Sequence, residues 1–209
     1  MVEGRKTFAN TLKYIFNTTS ANFGNMMSMA GASLFLPFLP LLPVQILLNN
    51  FLSDLPLMTI ATDNVDSELI EQPRRLEAKF IRNFMIIFGL VSSLFDYLTF
   101  VLLLFIFHLR DAPELFRTAW FIESLMTEVF VTLVVRTRKP FFRSKPSRYL
   151  LISTVAVAVA AVIIPYLPFS GLLSFVPLPL WLMAALLGIT LIYVIAVEAT
   201  KRFFYAHAG

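Results

Sequence analysis

Apolar residues run along this chain in six long blocks, each near the ~20 residues a helix needs to cross a ~30 Å hydrocarbon layer. The blocks occupy residues 13–36, 41–60, 84–107, 120–135, 149–169 and 178–197, with short polar or proline-rich connections between them. This pattern predicts an all-α fold, a polytopic membrane bundle of six transmembrane helices forming one domain over residues 1–209. The fourth block is short and polar for a span. The outer connections "FLPFLPLLP", "HLRDAPELFRT" and "PYLPFSGLLSFVPLP" are short and apolar, and their prolines read as helix stops at the interface.

Basic residues give the expected orientation. Fifteen of the 17 Lys and Arg fall on the N-terminus, the second and fourth connections and the C-terminus, leaving Arg110 and Arg117 on the other side. The second connection holds Arg74, Arg75, Lys79 and Arg82, and the fourth, "RTRKPFFRSKPSR", is the densest cluster. By the positive-inside rule both termini are cytoplasmic, which an even number of spans satisfies.

Composition narrows the class further. With 58% hydrophobic residues, 14% charged and a mean hydropathy of +0.77, the chain falls outside ordinary soluble domains, and the lipid bilayer is its expected surroundings. No cysteine is present, which excludes disulfides, thiolate metal sites and a thiol nucleophile. The apolar run after the polar N-terminus is too long for a signal-peptide core, so no cleaved targeting segment is expected. A formal charge of +4 sits in short clusters without interleaved stacking aromatics, so no nucleic acid is expected as a partner.

Polar residues inside the blocks carry the candidate chemistry. In the first span Thr18, Asn22, Asn25 and Ser28 recur at helical spacing and form a stripe, which interhelical hydrogen bonding would also explain. In the second, Asn50, Ser53 and Asp54 stand at i, i+3 and i+4 and share a face, with Asn49 turned away from it. Pro56 lacks the N–H that would bond the carbonyl of Leu52, so the helix is expected to kink or unwind beside Asp54. A carboxylate, amide oxygens and freed carbonyls make an oxygen-rich site suited to a hard cation; a kinked helix with a paired Asp54 is the alternative.

Three further acids need partners. Asp96 follows Ser92 and Ser93 by about a turn, which favours a structural role. Glu123 and Glu128 lie five residues apart, too far around a helix for both to face one site, so at most one is a direct ligand. Glu198 is expected to pair with Arg202 at i, i+4. No Walker-type loop, dinucleotide-binding glycine motif or HExxH is present, and no ATP site is expected in this sequence.

The segment "PVQILLNNFLSDLP", preceded by "EGRKTFANTLKYIFNTTSANFGNMMSMAG" and followed by "TIATDNVD", resembles the last six transmembrane helices of P-type cation-transporting ATPases. The likeness is closest to the magnesium-translocating branch, continues through "SSLFDYLTF", "AWFIESLMTE" and "VVRTRKPFF", and covers essentially the whole chain. It implies magnesium as the transported ion and a metal site built from Asn22, Asn25, Asn50, Ser53 and Asp54. Glu128 lies near a position that contributes a ligand in calcium pumps. Where calcium and sodium pumps carry a glutamate this chain has Asn25, and the lower charge fits Mg²⁺, which keeps waters and uses one or two carboxylates.

The family's phosphorylated "DKTGT" aspartate, nucleotide-binding domain and first four membrane helices are not in this sequence. The resemblance therefore implies a carboxy-terminal part, from a truncated gene, a partial gene model or one half of a split pump, with no ATPase activity of its own. Its expected partner is an N-terminal half carrying the ATP-handling domains, and its expected place is a bacterial cell membrane. Two other functions stay open: a stand-alone passive cation channel or accessory membrane protein, and a proton-transporting half, since one intramembrane aspartate among amides also suits a proton.

Overall fold

The structure, a computed structural model, describes residues 2–71 and 77–207. Arg74 and Arg75 of the second connection, and the terminal Met1 and Gly209, lie outside the described residues. Among the described residues there is no strand, and the chain forms six α-helices. These are α1 (Val2–Phe35), α2 (Pro43–Thr59), α3 (Ala78–Val101), α4 (Pro113–Val135), α5 (Arg148–Ile163) and α6 (Leu180–His207). Proline opens α2 and α4, where its missing N–H costs no helical bond. Ser147 caps α5 by accepting the Leu150 N–H on its hydroxyl at 3.2 Å.

Five of these helices, counting their terminal turns, are long and apolar enough to cross a membrane. The sixth, α1, has ample length at 34 residues but is too polar to join them. The short, polar fourth block has a physical explanation here. Its helix begins at Pro113 rather than near 120 and sits in the middle of the bundle, flanked by α2, α5, α6 and parts of α1 and α3. Trp120, Phe121, Ile122 and Leu125 are almost wholly enclosed. A helix surrounded by protein has polar side chains as neighbours, so it tolerates Glu, Ser and Thr that a lipid-facing helix could not.

The closest pairing is α1 with α3, and small residues make it possible. A β-carbon on Gly24 would come within 3.0 Å of Ser92 Cβ, and one on Gly89 within 2.6 Å of Phe23 Cδ1. With the backbones this near, the Ser93 hydroxyl donates to the Gly24 carbonyl at 2.9 Å and the Tyr97 hydroxyl to the Met27 carbonyl at 2.6 Å. Such small-residue contacts replace the hydrophobic effect as the cohesive force between helices in lipid. By contrast α2 packs on α5 and α4 and barely touches α1.

Two apolar cores divide the bundle. One gathers Phe100, Phe116, Trp120, Phe121 and Phe175 around the first half of α4; the other stacks Phe84 on Phe88 at 4.1 Å and sets Phe204 edge-on to both. Leu34, Leu172, Leu180 and Leu191 are strongly exposed, as apolar residues facing acyl chains would be.

Candidate functional site

α2 does not unwind beside Asp54. Helical structure runs unbroken through Pro56 to Thr59, then tightens into a 3₁₀ turn over Ile60–Thr62. Proline removes one N–H and leaves the rest of the ladder intact. Nearby carbonyls gain side-chain donors instead: Ser53 Oγ bonds the Asn50 carbonyl at 3.2 Å and Thr59 Oγ1 that of Pro56 at 2.8 Å.

Continuous helix divides the polar residues of α2 between two sides. Asn49 and Ser53, four apart, are buried, while Asn50 and Asp54, also four apart, are exposed. Ser53 thus sits with Asn49 rather than on the outer side with Asp54. Both pairings have helical spacing, so Asn49 was visible as a candidate, but the carboxylate drew the face toward Asp54.

Glu128 of α4 is where the helices converge. Asn49 Nδ2 donates to its Oε2 at 3.3 Å, and Ser53 of α2 and Asn25 of α1 both approach the same carboxyl group. Beside it lies a cavity of about 20 Å³, room enough for a water molecule. Asn25, Ser92, Ser124, Thr127 and Tyr193 line it together with Glu128, so α1, α3, α4 and α6 all contribute polar groups. Ser124, Thr127 and Tyr193 carry no sequence signal of their own, since serine, threonine and tyrosine are ordinary in apolar helices.

The structure thus brings Asn25, Ser53 and Glu128 together and leaves Asn22, Asn50 and Asp54 exposed. The α1 stripe also divides. Ser28 turns inward and donates to Asp96 Oδ2 at 2.5 Å, where Trp120 Nε1 donates to Oδ1 at 2.7 Å. Asp96 therefore has a partner on each oxygen, as a structural role requires. Glu123 faces Asp96 and Glu128 the cavity, in keeping with their spacing on α4. Among the described residues no three Asp, Glu or His side chains form a cluster. A cation here would meet amides, hydroxyls and at most two carboxylates, a donor set suited to a partly hydrated hard ion.

The family profile described as "Cation transporting ATPase, C-terminus" matches residues 38–203, most of the chain. The chain belongs to this cation-transporting ATPase family. "Magnesium-transporting ATPase, P-type 1" of Escherichia coli (strain K12) is 42% identical over 217 aligned residues, spanning all of this chain and 24% of that protein. The protein of the same description in Salmonella typhimurium (strain 14028s / SGSC 2262) is 40% identical over the same span, and a further one in strain LT2 is 36% identical. This member of the family thus spans about a quarter of the length of the curated relatives it matches. In those relatives the matching segment is the carboxy-terminal membrane part, separate from the regions that handle ATP.

Proposed function

We propose that this chain forms the cation-coordinating membrane part of a magnesium-transporting P-type ATPase and works with ATP-handling domains supplied by the rest of such a pump. The observation that carries this reading is the exposure of Asp54 and Asn50 on α2 and Asn22 on α1. A carboxylate at membrane depth facing acyl chains costs several kcal/mol or more, so this face calls for a protein or hydrated cover. Further helices of a larger pump would supply that cover.

In this reading Mg²⁺ binds between the outer group of Asp54, Asn50 and Asn22 and the inner group of Asn25, Ser53 and Glu128. Amide and hydroxyl oxygens replace part of the hydration shell, while Asp54 and Glu128 offset the charge. Small movements of α1 or α2 against α4 would change how many of these oxygens converge, and with it the affinity. The bias of the basic clusters supports both termini on the cytoplasmic side of a bacterial cell membrane, the side on which the ATP-handling domains would act.

Joining this chain to the amino-terminal three quarters of the Escherichia coli relative tests the proposal. In cells that depend on it for Mg²⁺ uptake, the fusion restores uptake and Asp54→Asn abolishes it with expression retained. Equal uptake by the Asp54→Asn fusion would overturn the assignment. So would passive, saturable Mg²⁺ leak from liposomes holding this chain alone.

A further inference from the structure

A second buried acidic group lies apart from the candidate cation site. Asp96 of α3 and Glu123 of α4 are 3% and 1% exposed and lie against each other. Their hydrogen bonding is strongly unequal. Both Asp96 oxygens accept from donors, Ser28 Oγ and Trp120 Nε1. Neither Glu123 oxygen accepts a hydrogen bond of ordinary geometry, and the donor nearest to it is the Thr99 hydroxyl, itself buried with no other partner.

Among the described residues no Lys, Arg or His forms an ion pair with either carboxyl group. The other titratable groups around the pair are Tyr97 on α3, Glu128 on α4 and Tyr193 on α6, none of them cationic. Two adjacent carboxylates in so dry a place repel strongly, and a buried anion with at most one hydroxyl beside it is not sustainable.

A metal ion between the two fits poorly, because Asp96 already spends an oxygen on the indole N–H and the other on a serine hydroxyl. A proton fits well. It turns one Glu123 oxygen into a donor beside an acceptor carboxylate, and it removes one of the two charges.

We propose that the Asp96–Glu123 pair is a proton-binding site, with the proton on Glu123 and Asp96 as its anionic acceptor. No bond other than O–H forms or breaks, and the proton comes from water. The cavity beside Glu128 gives water a place nearby: Thr127, which lines it, donates its hydroxyl to the Glu123 and Ser124 carbonyls at 2.9 Å each. Because the pair bridges α3 and α4 and is tied to α1 through Ser28, a sliding of α4 would change the proton's environment. Protonation and helix position are then linked. The site does not depend on which cation the neighbouring group transports.

Infrared spectroscopy of the purified full chain in lipid nanodiscs tests it, by following the carbonyl stretch of protonated carboxyl groups at neutral pH. The expected result is a protonated-carboxyl band that moves when the protein is labelled with carboxyl-¹³C glutamate, is lost in Glu123→Gln and persists in Glu128→Gln. Glutamine imitates the neutral acid, so the Glu123→Gln variant should unfold at the same temperature as the parent. No labelled glutamate band at neutral pH, or a band lost in Glu128→Gln and kept in Glu123→Gln, would overturn the proposal. The labelled parent protein gives an answer even if the variant does not fold.

Discussion

Asp63 and Arg136, 73 residues apart, are joined at 2.9 Å with side chains 0% and 1% exposed. The same aspartate oxygen accepts Lys13 Nζ at 2.6 Å, and its other oxygen takes the Ser147 N–H at 2.9 Å. One carboxylate thus ties α1, the connection after α2, the end of α4 and the start of α5. Asn10 reinforces the tie by donating to the Ala61 and Asp63 carbonyls at 3.0 Å.

Removing one partner of a buried pair leaves the other charges uncompensated and costs about 3–5 kcal/mol. Asp63→Asn would strand Lys13 and Arg136 together. We expect its unfolding temperature in detergent to fall steeply, with loss of the monodisperse peak in size-exclusion chromatography. Unchanged melting would show that water compensates both cations.

Glycine positions give a contrasting pair. Gly24→Ala crowds Ser92 and the Gly89 carbonyl, at 3.0 and 3.2 Å from the new carbon, and overpacking of this kind costs roughly 1–3 kcal/mol. Gly188 in α6 has nothing within 4 Å of a β-carbon, so alanine there relieves the helix of glycine's entropy cost, up to about 1 kcal/mol. Thermal unfolding should therefore move in opposite directions for Gly24→Ala and Gly188→Ala.

Asp66 lies in the connection between α2 and α3. Burial pushes its carboxyl up, but hydrogen bonds from Thr137 (2.6 Å) and Ser144 (2.9 Å), with the charges of Lys139 and Arg136, outweigh this and hold it below the usual 3.8. Since the folded form binds the proton more weakly than the unfolded chain, the stabilisation is fully present above the ordinary value and is lost as pH falls through the lowered one. Melting curves at descending pH should show Asp66→Asn less stable than the parent at neutral pH, and the gap closing in the acid range below about 3.8.

Asn49 offers a test of the inner half of the proposed cation site. A single hydrogen bond of about 0.5–1.5 kcal/mol corresponds to roughly a 2- to 10-fold change in affinity. In the fused pump, Asn49→Ala should raise the Mg²⁺ concentration for half-maximal uptake by that factor and leave the maximal rate nearly unchanged. An unaltered concentration dependence would place Asn49 outside the site.

Five of the six helices were legible because hydropathy over some twenty residues is a strong signal that neighbours rarely override, while α1 is too polar to carry it. Boundaries were less so: α4 starts at Pro113, where Glu114 and Arg117 made the sequence look extramembranous. Asn25, Ser53 and Glu128, which the fold brings together, could be named from residue type and from the family resemblance. The burial of Asn49 and the exposure of Asn50 could not, because a helix face is assigned only by what packs on it. Asp63 carries no sequence signal for the same reason, since its partners lie on three other elements and no local spacing reveals them.

The enclosure of α4 also bears on how the protein enters the membrane. Glu128 rests among donors from α1 and α2 and Glu123 lies against Asp96 of α3, yet a nascent α4 leaving the translocon alone would present both to lipid, where charged residues such as aspartate cost about 2.5–3.5 kcal/mol each. Its insertion is therefore aided by earlier helices that are already in place, which favours assembly from the amino-terminal side. A chain ending just after Val135 and lacking α1 to α3 should insert α4 less efficiently, readable by a glycosylation tag, than the same truncation with α1 to α3 present.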